Sequence, residues 1–311
     1  MANERYEILI IGGSAAASAA AVYAARREVN CKIITQIWGG EVAQSGSIGN
    51  YPGFNEINGL ELSNKFRQQV EFNQVSIEEG VWVEKIVKKN DGDFIITAQK
   101  NSRNIEYCAQ AVIVATGVHP RQLNAVGESN LRGKGVSYCT TCDGPLFRGK
   151  TVAVIGGGNS ALESALMLKE LCPKVYLLTI NDELMGETIY ITKLQQADNV
   201  EIIYGSDTKQ FMGANRLEAV EYIDKKSKTV KKVEVQGAFV HIGLVPNSNI
   251  VPEEVKKNKL NEIITNGLGE TKVPGLFAAG DVTDIPFKQI AIACGQGVSA
   301  VLRAIQYLDA S

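Results

Sequence analysis

The chain is 311 residues long, more than one average domain, so two domains are expected. With 45% hydrophobic and 21% charged residues it has the composition of a chain that buries a core, which excludes a disordered polymer. A net charge of −2, with Lys and Arg scattered among acids, argues against a nucleic-acid partner. The apolar stretch from Ala15 to Ala25 is too short to span a bilayer, and the start lacks the basic region and apolar core of a leader, so a cytoplasmic protein with no membrane segment is expected. Cys31, Cys108, Cys172 and Cys294 stand alone and fit a reducing compartment as small apolar residues.

Tyr6 to Ile11 is a short apolar run, followed by Gly12-Gly13-Ser14-Ala15-Ala16-Ala17, a helical pattern to about Arg27, and a second strand from Cys31 to Gln36. Strand, tight turn and helix open a dinucleotide-binding βαβ unit. Ser14 and Ala17 stand where the fingerprint has its second and third glycines. Alanine is an accepted third member, but Ser14 puts a Cβ where the backbone should approach a pyrophosphate. Gly39-Gly40-Glu41 and Gly49-Asn50-Tyr51-Pro52-Gly53 are loops, and an amphipathic helix is expected from Leu60 to Phe72. Val81 to Val87, Phe94 to Ala98 and Ile105 to Tyr107 alternate like a small antiparallel sheet, with Asn90-Asp91-Gly92 as a hairpin turn. Ala111 to Ala115, running into Thr116-Gly117, reads as a buried strand whose end is a ligand-binding position of open α/β sheets.

Cys139-Thr140-Thr141-Cys142-Asp143-Gly144 follows. Two thiols two residues apart, between two glycine-rich signatures, read as a disulfide made and broken in turnover. A structural zinc site wants four ligands, and His119 and His241 stand in no companion motif. A purely structural bridge over so short a loop would remove little entropy from the unfolded chain. Asp143 is a carboxylate able to give and take the proton of each exchange step; without the cysteines it would read as a turn or helix cap.

The pattern then restarts. Thr151 to Ile155 is a strand, Gly156-Gly157-Gly158-Asn159-Ser160-Ala161 a complete G-x-G-x-x-A turn, Leu162 to Leu171 a helix and Val175 to Thr179 the next strand. Glu218 to Asp224 and Val230 to Val235 form a hairpin, and Ala238 to Gly243 another strand ending in glycine. His241 by itself reads as a core or interface residue. Gly275-Leu276-Phe277-Ala278-Ala279-Gly280-Asp281-Val282 gives a strand ending on an acid, and a helix from about Phe287 to Leu308 closes the chain.

Over essentially its whole length the sequence resembles a low-molecular-weight thioredoxin reductase, on the C-x-x-C-D motif, the 156–161 turn, Ala115-Thr116-Gly117 and Gly280-Asp281. Gly144-Pro145-Leu146-Phe147 and Pro286-Phe287-Lys288-Gln289-Ile290 are similar to the flavoprotein reductase of the alkyl hydroperoxide reductase system, a relative with an extra N-terminal domain for which these residues are expected to hold no counterpart. The resemblance implies an α/β protein of two Rossmann-like domains, the second inserted in the first: an FAD-binding domain at 1–117 and 244–311, and an NAD(P)H-type domain at 118–243 carrying the dithiol. FAD contacts would be Gly12, Gly13, Ser14, Gln36, Gly40, Asn50, Val83, Thr116, Gly117, Gly280, Asp281, Lys288, Gln289 and Ile290. Gln36 stands where an acid would grip a ribose. Nicotinamide-nucleotide contacts would be Gly156, Gly158, Asn159, Ser160, Ala161, Thr179, Ile242 and Gly243.

By the same resemblance Cys142 exchanges electrons with the flavin through a thiolate adduct, Cys139 attacks the partner disulfide and Asp143 is the acid/base. A large domain rotation with hinges near Gly117-Val118 and Gly243-Leu244 is implied, as are a homodimer and a thioredoxin or thioredoxin-like partner. The alternatives are a peroxidase or glutaredoxin-like partner, and a non-catalytic flavin redox sensor. The donor is where the sequence departs from the family. NADPH-dependent members carry a His-Arg-Arg cluster after the second strand of the nicotinamide domain; here Thr179-Ile180-Asn181-Asp182-Glu183-Leu184-Met185-Gly186-Glu187 has no basic residue and three acids. NADH over NADPH is expected, with reduced ferredoxin or another donor as the alternative.

Overall fold

The computed structural model describes residues 5–45, 47–90 and 92–310, without the side chains of Ser47 and Cys142. Asp91, in the expected hairpin turn, lies outside the described residues; around it Lys89 N–H bonds the Asp93 carbonyl at 2.7 Å. The chain divides into two compact units: residues up to His119 together with those from Val245 onward, and Pro120–Leu244. The second is therefore an insertion in the first.

In the first unit the strands run Ser76–Glu78, Cys31–Ile34, Arg5–Ile11, Arg103–Val114, Phe94–Lys100 and Val81–Lys88 across one sheet, and Leu276–Ala278 also pairs with Arg103–Val114. Pairings around Arg5–Ile11 are parallel. Those between Arg103–Val114, Phe94–Lys100 and Val81–Lys88 are antiparallel. The sequence suggested two strands at 105–107 and 111–115, but there is one, because Cys108-Ala109-Gln110 contains no breaker and continues the extended backbone. Side chains alternate between the sheet's faces: Ile8, Ile10, Ala111 and Ile113 meet the helices, and Leu9, Ile11, Val112 and Val114 meet the opposite layer.

The helix Ala15–Ala25 is alanine-rich because it is clamped between sheet and neighbours; eight of its residues are buried. Its partner is the C-terminal helix Ile290–Asp309, which begins at Ile290 with Gln289 as its cap rather than at Phe287. At Gly297 any Cβ would collide with the Ala16 carbonyl oxygen, so the crossing demands glycine. The helix Gly59–Phe72 starts with the Asn58 side chain accepting the Leu60 N–H at 2.9 Å.

The second unit holds an all-parallel sheet in the order Val136–Ser137, Gly237–Val240, Thr151–Ile155, Lys174–Leu178, Val200–Ile203. Beside it lies an antiparallel meander of Ser206–Met212, Ala219–Asp224 and Val230–Glu234. Apolar clusters fill both faces of the parallel sheet. Among the described residues no helix is long and apolar enough to cross a membrane.

Candidate active site

In the first unit, the strand Arg5–Ile11 ends at Gly12, whose φ is +131° and where a Cβ would strike the Ala115 carbonyl oxygen. A Cβ on Gly13 would lie 2.7 Å from Thr35 Oγ1. Backbone alone fits this turn. Ser14 caps the helix Ala15–Ala25 but makes no side-chain bond to it. Its hydroxyl instead donates to the Gly39 carbonyl at 2.7 Å. That commits the hydroxyl to the 39–40 loop, and the first amides of the helix keep no side-chain acceptor. Such a helix start is a seat for an anion.

Gly12, Gly13, Ser14, Gln36, Gly40, Val83, Thr116, Gly117, Gly280, Asp281, Lys288, Gln289 and Ile290 all border one cleft of about 1050 Å³, at the upper end of small-molecule sites. Asn50 is absent from that wall and donates to Gln289 Oε1 at 3.1 Å. Asp281 accepts no hydrogen bond from any described residue, and burial raises its pKa against the pull of Lys288. Lys288 itself is committed to Glu262 at 2.8 Å and to the Thr283 carbonyl at 2.6 Å. Asp281 thus faces the cleft as a carboxylate acceptor with no hydrogen-bond donor among the described residues. The cleft also contains Trp38, Trp82 and Asn247, which sequence reasoning missed. Asn247 exchanges hydrogen bonds with Thr116, each 2.8 Å, across 131 residues of chain, a pairing without a sequence signal.

The second unit repeats the turn. Gly156 has φ +144°, and a Cβ there would strike the His241 carbonyl oxygen. A Cβ on Gly157 would lie 2.5 Å from Thr179 Oγ1. Gly158 caps the helix Asn159–Lys169, again with no side-chain bond. Asn159 and Ser160 are exposed, whereas Ala161 is fully buried and packs inward. The Asn159 amide oxygen accepts the Glu187 N–H at 2.7 Å. Thr179 is 1% exposed with its hydroxyl receiving the Asn181 N–H at 3.3 Å, so it faces the turn rather than open space. A cavity of about 360 Å³ opens beyond it, bordered by Asn181, Asp182, Glu183, Met185 and Lys225. Lys225 comes from the hairpin after Ala219–Asp224 and was invisible to a reading of the 179–187 stretch alone. Ile242 is half-buried and Gly243 exposed at the end of the strand Gly237–Val240.

Cys139 is disulfide-bonded, and Cys31, Cys108, Cys172 and Cys294 are free. The Cys142 side chain lies outside the described residues. Three neighbours of Cys139 are anchored. The Ser137 hydroxyl donates to Asp143 Oδ2. Tyr138 donates to Glu128 Oε1 at 2.6 Å, and that buried carboxylate also receives the Leu123 and Ala125 amides. Thr140, first residue of the short helix Thr140–Asp143, meets Ser164 Oγ at 2.5 Å and His241 Nε2 at 2.7 Å. Burial lowers His241 to about 4, so it is neutral. Among the described residues no group of three or more His, Cys, Asp or Glu could hold a metal ion.

The family model for pyridine nucleotide-disulphide oxidoreductases matches residues 6–297. The chain belongs to this family. It is 37% identical over 308 residues to an alkyl hydroperoxide reductase component of Xanthomonas campestris pv. phaseoli, covering 99% of this chain and 58% of that protein. It is 36% identical over 306 residues to a protein of Bacillus subtilis (strain 168) named NADH dehydrogenase, covering 98% of this chain and 59% of that one. It spans about three fifths of the length of these curated relatives. The structure of Lactococcus lactis thioredoxin reductase matches with a TM-score of 0.80 at 31% identity, covering 98% of this chain and 100% of that one. Family membership and this likeness agree with the oxidoreductase expected from the dithiol and the two turns.

Proposed function

We propose that the chain is an FAD-dependent disulfide reductase that takes electrons from NADH and delivers them, through a Cys139/Cys142 couple, to the disulfide of a thioredoxin-like protein. The observation that carries this is the disulfide at Cys139, held by three anchored neighbours in a chain that also has two glycine-rich nucleotide turns. In balance, NADH and one proton reduce the partner disulfide to two thiols and leave NAD⁺.

The first unit, up to His119 and from Val245 onward, would seat FAD, as expected for residues 1–117 and 244–311; the second, Pro120–Leu244, would seat the nicotinamide nucleotide, as expected for 118–243. The residues fit. Amides at Gly13 to Ala15 receive a pyrophosphate, Gln36 a ribose hydroxyl and Asp281 a ribityl hydroxyl, which restores a partner to a carboxylate that lacks one. Bound flavin supplies the two-electron exchange between nucleotide and dithiol. Cys139, as thiolate, attacks the partner's sulfur, and Asp143 moves the proton, its Oδ2 held by Ser137.

A thioredoxin-like partner is favoured because the similarity to a thioredoxin reductase covers both chains nearly completely. The second reading, a peroxidase partner, is supported by the identity to the alkyl hydroperoxide reductase component, of which only 58% is matched. Anaerobic reduction of the FAD-loaded protein by NADH, followed by mixing with oxidised thioredoxin or with a disulfide-form peroxidase, tests both. Rapid flavin reoxidation by thioredoxin is expected. Reoxidation by the peroxidase alone selects the second reading, and a flavin that stays reduced with either rejects disulfide reduction in favour of a sensor.

A further inference from the structure

The two glycine turns correspond residue by residue, and two side chains set the second apart from the first. In each unit the first glycine is forced by a carbonyl oxygen, from Ala115 in the first and from His241 in the second. The fold uses only the main chain at this position, and alanine suffices. Position 164 in the helix Asn159–Lys169 corresponds, at the same distance from its turn, to Ala20 in the helix Ala15–Ala25, which is fully buried. So the second unit has a serine and a histidine where the first has two alanines. Ser164 is 4% exposed. Both side chains meet on one atom, Thr140 Oγ1, at 2.5 and 2.7 Å. Thr140 follows Cys139 directly and is itself 6% exposed.

We infer that His241 and Ser164 are positioning residues for the dithiol: they hold the Thr140 hydroxyl and so keep the Cys-Thr-Thr-Cys segment in the geometry that closes the disulfide. This rests on the proposed Cys139/Cys142 couple. The hydrogen bonds exist in the state in which Cys139 is oxidised. Holding a residue between two thiols raises the effective concentration of one thiol at the other, so the tether favours ring closure. A neutral histidine performs this without a buried charge, since burial keeps His241 deprotonated. The two contacts allow two polarities, Ser164 to Thr140 to His241 or the reverse, and in each the Thr140 hydroxyl both donates and accepts.

The test is the equilibrium with glutathione in the FAD-loaded protein: two thiols give two electrons and two protons to glutathione disulfide, which leaves as two glutathione molecules. The oxidised fraction is read by alkylation and mass. Thr140→Val and His241→Ala are each expected to lower the constant for disulfide formation about threefold to tenfold, the worth of one net hydrogen bond. The double variant should fall no further than the larger single change, because both remove one tether. His241→Gln, which keeps a hydrogen-bonding group, should stay within about twofold of the parent. Unchanged constants in either single variant, or summed losses in the double, overturn the tether. A parent whose Cys139 and Cys142 never interconvert with glutathione removes the underlying couple, and the tether with it.

Discussion

Ser137 donates its hydroxyl to Asp143 Oδ2 at 2.6 Å, and the same serine Oγ accepts the Cys139 N–H at 3.1 Å. The proposed acid/base is thus linked through one buried hydroxyl to the backbone of the disulfide-bonded cysteine. Asp143→Asn is expected to slow reoxidation of the reduced protein by a partner disulfide by about 10²–10⁴-fold while leaving flavin reduction intact. Ser137→Ala should slow it by about tenfold, one charge-assisted hydrogen bond. Rapid mixing with oxidised thioredoxin measures both, and an unchanged rate in Asp143→Asn would leave the carboxylate as an anchor for Ser137.

Cys139→Ser and Cys142→Ser should each abolish disulfide reduction and retain reducible FAD, whose proposed seat uses neither residue. Serine at position 31, 108, 172 or 294 should leave turnover within about twofold. Burial pushes the Cys31 thiol up to about 12, with Glu7 adding to the effect, and Cys172 is 3% exposed, so neither supplies a thiolate. Steady-state thioredoxin reduction across the six variants checks this.

Burial raises the Asp281 carboxyl from its ordinary value, against the pull of Lys288. The folded FAD-free protein holds this proton more tightly than the unfolded chain does, so stability falls as pH rises from the unfolded pKa through the folded one. Asp281→Asn should therefore make the FAD-free protein more resistant to urea at neutral pH. The same change should weaken FAD binding by about tenfold to hundredfold, through loss of a charged acceptor. Fluorescence titration with FAD, paired with urea unfolding, reads the two opposed effects.

At the second turn, Asp182 and Glu183 border the cavity that also holds Lys225. The acids disfavour a 2′-phosphate, and Lys225, whose Nζ donates to the Ile180 carbonyl at 3.3 Å, is the one cation set against them among the described residues of that wall. Stopped-flow flavin reduction should be faster with NADH than with NADPH. Asp182→Asn together with Glu183→Gln should narrow the ratio by about tenfold, and adding Lys225→Ala should restore part of it. Faster reduction of the parent by NADPH would refute the charge argument, and no reduction by either nucleotide would point to reduced ferredoxin or a similar donor.

Away from the sites, Glu78 accepts from Lys32 and Lys100, each at 2.7 Å. Burial alone would raise its carboxyl, but the two ammonium groups together outweigh it and bring it down from 4.5 to about 2. Its stabilising contribution is complete above the unfolded pKa and is lost as pH falls toward the folded one. Glu78→Gln should cost about 1–3 kcal/mol at neutral pH. It should also flatten the acid limb of a stability profile measured by denaturant titration.

The sequence carried both turns, because each combines glycines that admit no Cβ with an apolar strand before and an alanine-rich or amphipathic helix after. It also carried the helix Gly59–Phe72 and the hairpin Ala219–Asp224 to Val230–Glu234. It did not carry the strand Ser206–Met212, whose buried positions include Ser206 and Thr208 and give no apolar alternation. Nor did it carry the helix Thr188–Gln195, where Leu194 alone is buried and no periodicity can show. At the site, the cysteines and Asp143 were legible as spacing. The bond from His241 to Thr140 spans 101 residues and arises only when two strands and a helix end at the same place. Thr179, named as a nucleotide contact by resemblance, accepts the Asn181 N–H in the fold, a local bond the sequence did not show.

The strand Arg103–Val114 belongs to two structures at once. Its first residues pair with Phe94–Lys100 in the antiparallel part of the first unit's sheet, and its last are flanked on both sides by Arg5–Ile11 and Leu276–Ala278. A local opening cannot release one neighbourhood without loosening the strand the other depends on. Amide protons of Ile8 to Ile11, Phe94 to Ala98 and Ala109 to Val114 should then exchange with deuterium as a single slow class, so that segments far apart in the chain report one common opening event.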